Sequence, residues 1–130
     1  MELVPYLPDA EAPEDTPLAE QKIRVRIRQD AWLAKMACKC IRQKDVALTL
    51  FKTIYLSHST AGHFLANQRW VAHELAHVRQ FMTYGKLRFL VMYLMESLRR
   101  GYYQNKWECE ARAQEDKAEI LQDFYFEYQA

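Results

Sequence analysis

The chain has 130 residues, half of them apolar and 13% aromatic. That is enough for one globular domain with a real hydrophobic core, and it argues against a disordered or fibrous chain. The formal net charge is only +1, and no nucleic-acid-binding motif is present, so no nucleic-acid partner is expected.

The charge is unevenly spread. Residues 1–20 hold six acids (Glu2, Asp9, Glu11, Glu14, Asp15, Glu20), no Lys or Arg, and all four prolines, Pro5, Pro8, Pro13 and Pro17. Residues 1–21 therefore read as an acidic, proline-broken arm, and 22–130 as a single domain. In the segment Lys22–Arg28, Ile23, Val25 and Ile27 alternate with basic residues, which predicts a short strand. A helix is expected over 30–43, capped by Asp30, with Leu33, Met36, Ala37 and Cys40 as its apolar face. Val46–Phe51 and Thr53–Ser57 read as a small antiparallel ribbon, and 57–66 as a loop. The next helix runs from Asn67 to Tyr84 and stops at Gly85. Another spans Leu87–Arg99 and ends at Gly101, and a last one runs from Asn105 to about Tyr125. The class is α+β, mainly helical with a small antiparallel ribbon or sheet.

Three cysteines is an odd number. Cys38 and Cys40 are two apart on a helix and point to different sides, so a reducing, cytoplasmic setting fits. No basic stretch followed by an apolar run opens the chain, so no signal peptide is expected. The longest apolar run, Phe89–Met95, is too short to span a membrane.

Within the helix from Asn67, Val71, Leu75, Val78 and Met82 form one narrow stripe directed at the core. His73 and His77 lie off it, one turn apart on a common face, with Glu74 beside them in the order H-E-x-x-H. Two imidazoles at i and i+4 can reach one ion together, and the neighbouring glutamate can take a proton from a water on that ion. From this chain's composition, such a motif arises by chance in only about one chain in a hundred.

A catalytic zinc site needs a third protein ligand. The extended zincin pattern requires Gly and His where this chain has Gln80 and Thr83, so it is excluded. The third ligand must come from His58 or His63 upstream, or from a glutamate on a later helix. Glu108 sits on the first turn of the last helix, and the small Ala111 would let that helix pack closely on the HExxH helix. Asn105 and Glu108 also form a capping-box pattern, which would occupy Glu108 at the helix end. Glu110 points about 200° away round the same helix, so Glu108 and Glu110 cannot serve one site together.

The combination of His73-Glu-Leu-Ala-His77 with Glu108-x-x-Ala111, separated by 30 residues, resembles the gluzincin metallopeptidases. Within them it is most similar to the minigluzincins, small proteins that look like the catalytic cores of integral-membrane prenyl-protein and heat-shock endopeptidases. The resemblance covers roughly residues 30–120. It implies zinc held by His73, His77 and Glu108, Glu74 as general base, and Thr53–Ser57 as an edge strand that a bound peptide would extend. Relatives often carry an acidic residue after the alanine that would orient a histidine, whereas this chain has Arg112. Tyr102, Tyr103 and His58 are candidates to stabilise an oxyanion. Small members of this class can be latent, with a chain terminus covering the cleft. Two segments qualify: the arm 1–20 and the aromatic tail Asp123–Tyr128, whose plainer reading is a helix end packed on the core.

The expected function is a zinc-dependent metallopeptidase acting on peptide or protein substrates, with a zinc-activated water and Glu74 as base. The alternative is an inactive zinc-binding or interaction module on the same fold. A metal-free helical protein, with Glu108 only a cap, is the third reading.

Overall fold

The computed structural model describes residues 22–129, excepting the side chain of Ala118. The expected arm therefore lies outside the described residues. The elements in chain order are β1 (Ile23–Arg28), α1 (Trp32–Ile41), β2 (Ala47–Leu50), β3 (Thr53–Leu56), α2 (Ala61–Leu65) and α3 (Gln68–Tyr84). Then follow α4 (Lys86–Gln104), α5 (Lys106–Ala113), a 3-10 turn over Ala118–Asp123 and β4 (Phe124–Glu127). The class is α+β, with helices packed on one small sheet. Among the described residues, no helix is long and apolar enough to cross a membrane.

The alternation in β1 does what a half-buried strand requires. Val25 and Ile27 enter the core while Arg24, Arg26 and Arg28 stay exposed. The sheet order is β2-β3-β1-β4. β2 and β3 form the expected antiparallel ribbon, in the register Thr49 to Ile54. However, β1 runs parallel to both β3 and β4, so the sheet is mixed. Arg24 and Arg26 meet Glu127 of β4 at 3.5 and 3.7 Å, which answers part of the basic face.

Several expected boundaries move. α1 starts at Trp32 with no side-chain cap. Asp30 has a positive φ of 52° and forms an ion pair with Lys35 instead. The face α1 buries is Ala34 and Cys38, packed with Val46, whereas Met36 and Cys40 are exposed. Small residues face inward there because the helix lies close against β2 and β3. The segment read as a loop holds α2, capped by the Thr60 hydroxyl accepting from the His63 amide at 3.1 Å. The last helix ends at Ala113, and the tail Asp123–Tyr128 is not a helix end. Phe124–Glu127 pairs with Ile23–Arg26 at the sheet's edge.

α3 begins and ends as its sequence predicts. Asn67 caps it through Trp70 N at 3.2 Å, and Gly85 stops it. Gly85 also opens α4, with φ +93° and ψ 154°, a conformation essentially confined to glycine. Gly101 (φ +81°) breaks α4 just before its last turn. The main core gathers the inner sheet face (Val25, Ile27, Ile54, Leu56, Phe124), Phe64 of α2, and Val71, Leu75 and Val78 of α3. Beyond Val78 the packing changes. Phe81, not Met82, turns inward and joins Phe89 and Trp107 in a second cluster, with Phe81 and Phe89 ring centres 4.7 Å apart.

Candidate metal centre

α3 is enclosed on two sides. The sheet covers its apolar stripe, and α5 covers the face bearing the histidines, with Ala111 fully buried at the approach between the helices. His73, Glu74 and His77 are therefore buried rather than at the surface, despite lying off the core stripe. The two imidazole centres are 5.0 Å apart.

Glu108 completes the group. Its Oε1 lies 2.9 Å from His73 Nε2 and 3.2 Å from His77 Nε2, and the carboxylate is only 3% exposed. The capping-box alternative resolves physically. Asn105 Oδ1 does cap α5, accepting from Trp107 N at 2.8 Å, but the Glu108 side chain turns inward to the histidines and to Tyr93. Glu110 faces away and accepts from Gln80 Nε2 at 3.1 Å. His58 and His63 are exposed and take no part in the cluster.

The outer nitrogen of each imidazole is also engaged. Glu115 Oε2 sits 2.7 Å from His73 Nδ1 and, being a carboxylate, accepts a hydrogen bond from it. Gln80 Oε1 sits 2.9 Å from His77 Nδ1. The orientation of that amide is fixed because its nitrogen donates to Trp107 O at 3.1 Å and to Glu110. Gln80 therefore presents oxygen to His77, whose Nδ1 must donate. Both rings thus carry hydrogen on Nδ1 and aim Nε2 at the same carboxylate oxygen.

Two nitrogen lone pairs and a carboxylate oxygen repel one another unless a cation or protons lie between them. Without a metal, protons do this work. Burial works against a charged His73, but the hydrogen bond to Glu108 and the charges of Glu74 and Glu108 outweigh it and raise the pKa to about 9. His77 is raised in the same way, against its burial, mainly by Glu108. Burial would raise Glu108, but hydrogen bonds from the two histidines and Tyr93 hold it well below the usual carboxylate range. A metal ion can replace those protons. One donor atom from each of His73, His77 and Glu108 lies within 4.8 Å of the others. The two nitrogen-to-oxygen distances, 2.9 and 3.2 Å, fall about 0.5 and 0.2 Å short of the edge, about 3.4 Å, of a tetrahedron with bonds of about 2.1 Å. The residues present fit a metal.

Glu74 is fully enclosed, and burial raises its pKa despite the nearby histidines. Its Oε1 accepts from Thr49 Oγ1 on β2 at 2.7 Å, which ties the carboxylate to the sheet. The phenol of Tyr93 donates to Glu108 Oε2, leaving Oε1 directed at the histidines. Burial, then the charges of Glu108 and Glu74, keep the half-buried Tyr102 protonated far above the usual phenol range. Tyr103 is exposed beneath the Arg112 guanidinium, 4.2 Å from its ring centre, and the exposed His58 lies among Asp30 and Asp45 instead.

Sequence reasoning missed Thr49, Gln80 as an orienting amide, Tyr93 and Glu115. It looked for an acid directly after Ala111, where Arg112 points to the surface. The orienting acid is Glu115, past the end of α5, and only folding reveals it. Thr53–Leu56 is also not an edge strand, since β3 lies between β2 and β1. Among the described residues the free edge beside α3 belongs to β2, the strand bearing Thr49.

Neither a curated protein nor a solved structure matches the chain. A family model described as the eCIS core domain matches residues 18–83, half of the chain, and takes in His73, Glu74 and His77 while stopping short of Glu108. On that match, the chain belongs to the eCIS core domain family.

Proposed function

We propose that this protein is a zinc-dependent peptidase of the gluzincin type, resembling the minigluzincins. The observation that carries the reading is the convergence of His73 Nε2, His77 Nε2 and Glu108 Oε1, each imidazole held by an acceptor on its other nitrogen. Two imidazoles and a carboxylate form a donor set suited to zinc, with a fourth position left for water. When bound, zinc supplies Lewis-acid activation of a water and of the scissile carbonyl. Glu74 takes the proton from the attacking water and passes it to the leaving amine. Its burial, which raises its pKa, strengthens it as the base that takes this proton. Thr49 keeps one oxygen of Glu74 occupied, so the other receives the proton. Of the three candidates for an oxyanion donor, the half-buried Tyr102 is the one that feels the charges of Glu108 and Glu74, and so the one near the cluster. A peptide would add to the open edge of β2, which replaces Thr53–Ser57 in that role.

A second reading, a metal-holding module without turnover, draws on one observation. His73, Glu74, His77 and Glu108 are all buried, and the concavity of about 400 Å³ lined by Arg26, Arg28, Asp30, Glu127 and Tyr128 touches none of them.

The test begins with the metal content of protein purified without chelator or added metal. About one zinc per chain, lost in Glu108→Ala, is expected. Peptide turnover that disappears in Glu74→Gln with zinc retained would establish the peptidase. Zinc retention with no turnover on broad peptide libraries would leave the module. Absence of any metal, even after its addition, would overturn both.

A further inference from the structure

α4 carries an apolar face that nothing described covers. Leu87, Val91, Leu94, Met95 and Leu98 are all exposed, Leu87 at 74% and Leu98 at 88%. Their spacing of four, three, one and three places them in one stripe along the helix, opposite the buried Phe89 and Glu96. The stripe is therefore a second amphipathic face, separate from the one that packs on α3 and α5.

The flanking charge argues what covers it. Arg88 and Arg99 lie three turns apart along one border of the stripe, both exposed, and neither has an acidic partner among the described residues. The only acid on α4 is Glu96, which is buried, faces the protein and pairs with Arg100 at 3.3 Å. An antiparallel second copy of this face would set arginine against arginine. An apolar stripe with unpaired cations along one border matches the boundary between anionic headgroups and acyl chains.

We propose that α4 docks in the plane of an anionic lipid surface, with Leu87, Val91, Leu94, Met95 and Leu98 in the acyl boundary and Arg88 and Arg99 on headgroup phosphates. This inference is independent of the metal site. Because the residues are exposed, substituting them leaves the core intact.

The experiment is co-sedimentation of the full chain with phosphatidylcholine vesicles, with and without phosphatidylserine. Binding to the anionic vesicles only is expected. Leu94→Gln/Leu98→Gln should abolish it, and Arg88→Gln/Arg99→Gln should weaken it about thirtyfold, at about 1 kcal/mol per cation. Circular dichroism of each variant should match the parent. Three results would overturn the proposal. One is no vesicle binding at all. Another is binding that survives the leucine substitutions and is lost with the arginines, which would be adsorption by charge alone. The third is self-association without vesicle binding that the leucine substitutions abolish, which would assign the face to a second copy.

Discussion

Replacing Glu115 by alanine tests whether the metal centre extends beyond its three converging donors. Glu115 Oε2 accepts from His73 Nδ1 at 2.7 Å, while its Oε1 meets Arg69 Nη2 at 3.2 Å. A hydrogen bond to a charged group contributes about 1.5–3 kcal/mol, and the partial exposure of Glu115 favours the lower half of that range. That corresponds to a zinc affinity weakened about 10- to 30-fold, within the 10- to 100-fold typical of losing a carboxylate behind a ligating histidine. The assay is competition with a chromophoric chelator at fixed pH. Arg69→Ala is the control. Its guanidinium is mostly exposed, and such an ion pair contributes about 0–1 kcal/mol, so a change of less than about fivefold is expected. Affinity in Glu115→Ala within threefold of the parent would refute the orienting role. An equal loss in Arg69→Ala would reduce Glu115 to a surface ion pair.

Metal-free protein should lose stability as pH rises from about 6.5 to about 9. The folded pKa of His73 is raised from 6.5 to about 9, so its contribution is full below the lower value and gone above the higher one. Melting temperature against pH, with chelator and with zinc, checks this, and a flat chelated profile over that window would contradict it. For the same reason zinc binding at pH 7.5 should release protons, seen as a dependence of calorimetric heat on buffer ionisation enthalpy. Tyr93→Phe removes the phenol donor from Glu108 Oε2 and should cost about 1.5–3 kcal/mol in urea unfolding of the metal-free protein. Gly85→Ala should cost about 1–3 kcal/mol from backbone strain alone, because a Cβ there meets nothing within 4 Å. An unchanged unfolding midpoint would show that the α3–α4 joint relaxes.

Local signals made α3 legible. Its apolar period, its Asn67 cap and its Gly85 stop are all written within one stretch of chain, and the HExxH pattern rides on them. The ribbon β2–β3 was legible for the same reason. Long-range pairing was not. Residues 114–128 contain no glycine or proline to announce that the helix has ended, and Phe124–Glu127 becomes a strand only because β1, from the opposite end of the domain, supplies its partner. The inward face of α1 was misread because hydrophobicity pointed to Met36 and Cys40, whereas close approach to the ribbon selects the small Ala34 and Cys38. Glu108 could be nominated from its residue type and helix position. The environment that decides between cap and metal ligand consists of Tyr93 and two histidines on other helices.

The division between the family match and the site carries a physical consequence. Residues 18–83 supply the two histidines, Glu74 and the strand that anchors it, but they end before the carboxylate that closes the group. Glu108 reaches His73 and His77 only when α5 lies against α3, and two features bring it there. Ala111 permits the close approach, and Trp107 packs beneath Phe89 with ring centres 5.3 Å apart. Gln80 spans the same joint, with its oxygen on His77 and its nitrogen on the Trp107 carbonyl. One hydrogen-bonding side chain thus couples the orientation of His77 to the docking of the helix that bears Glu108. A metal held across α3 and α5 would therefore stabilise that joint as well as itself, since its binding energy is available only when the helices are packed. Loss of metal should loosen α4 and α5 before it disturbs the sheet, because the core around Val25, Ile54 and Leu75 does not depend on Glu108.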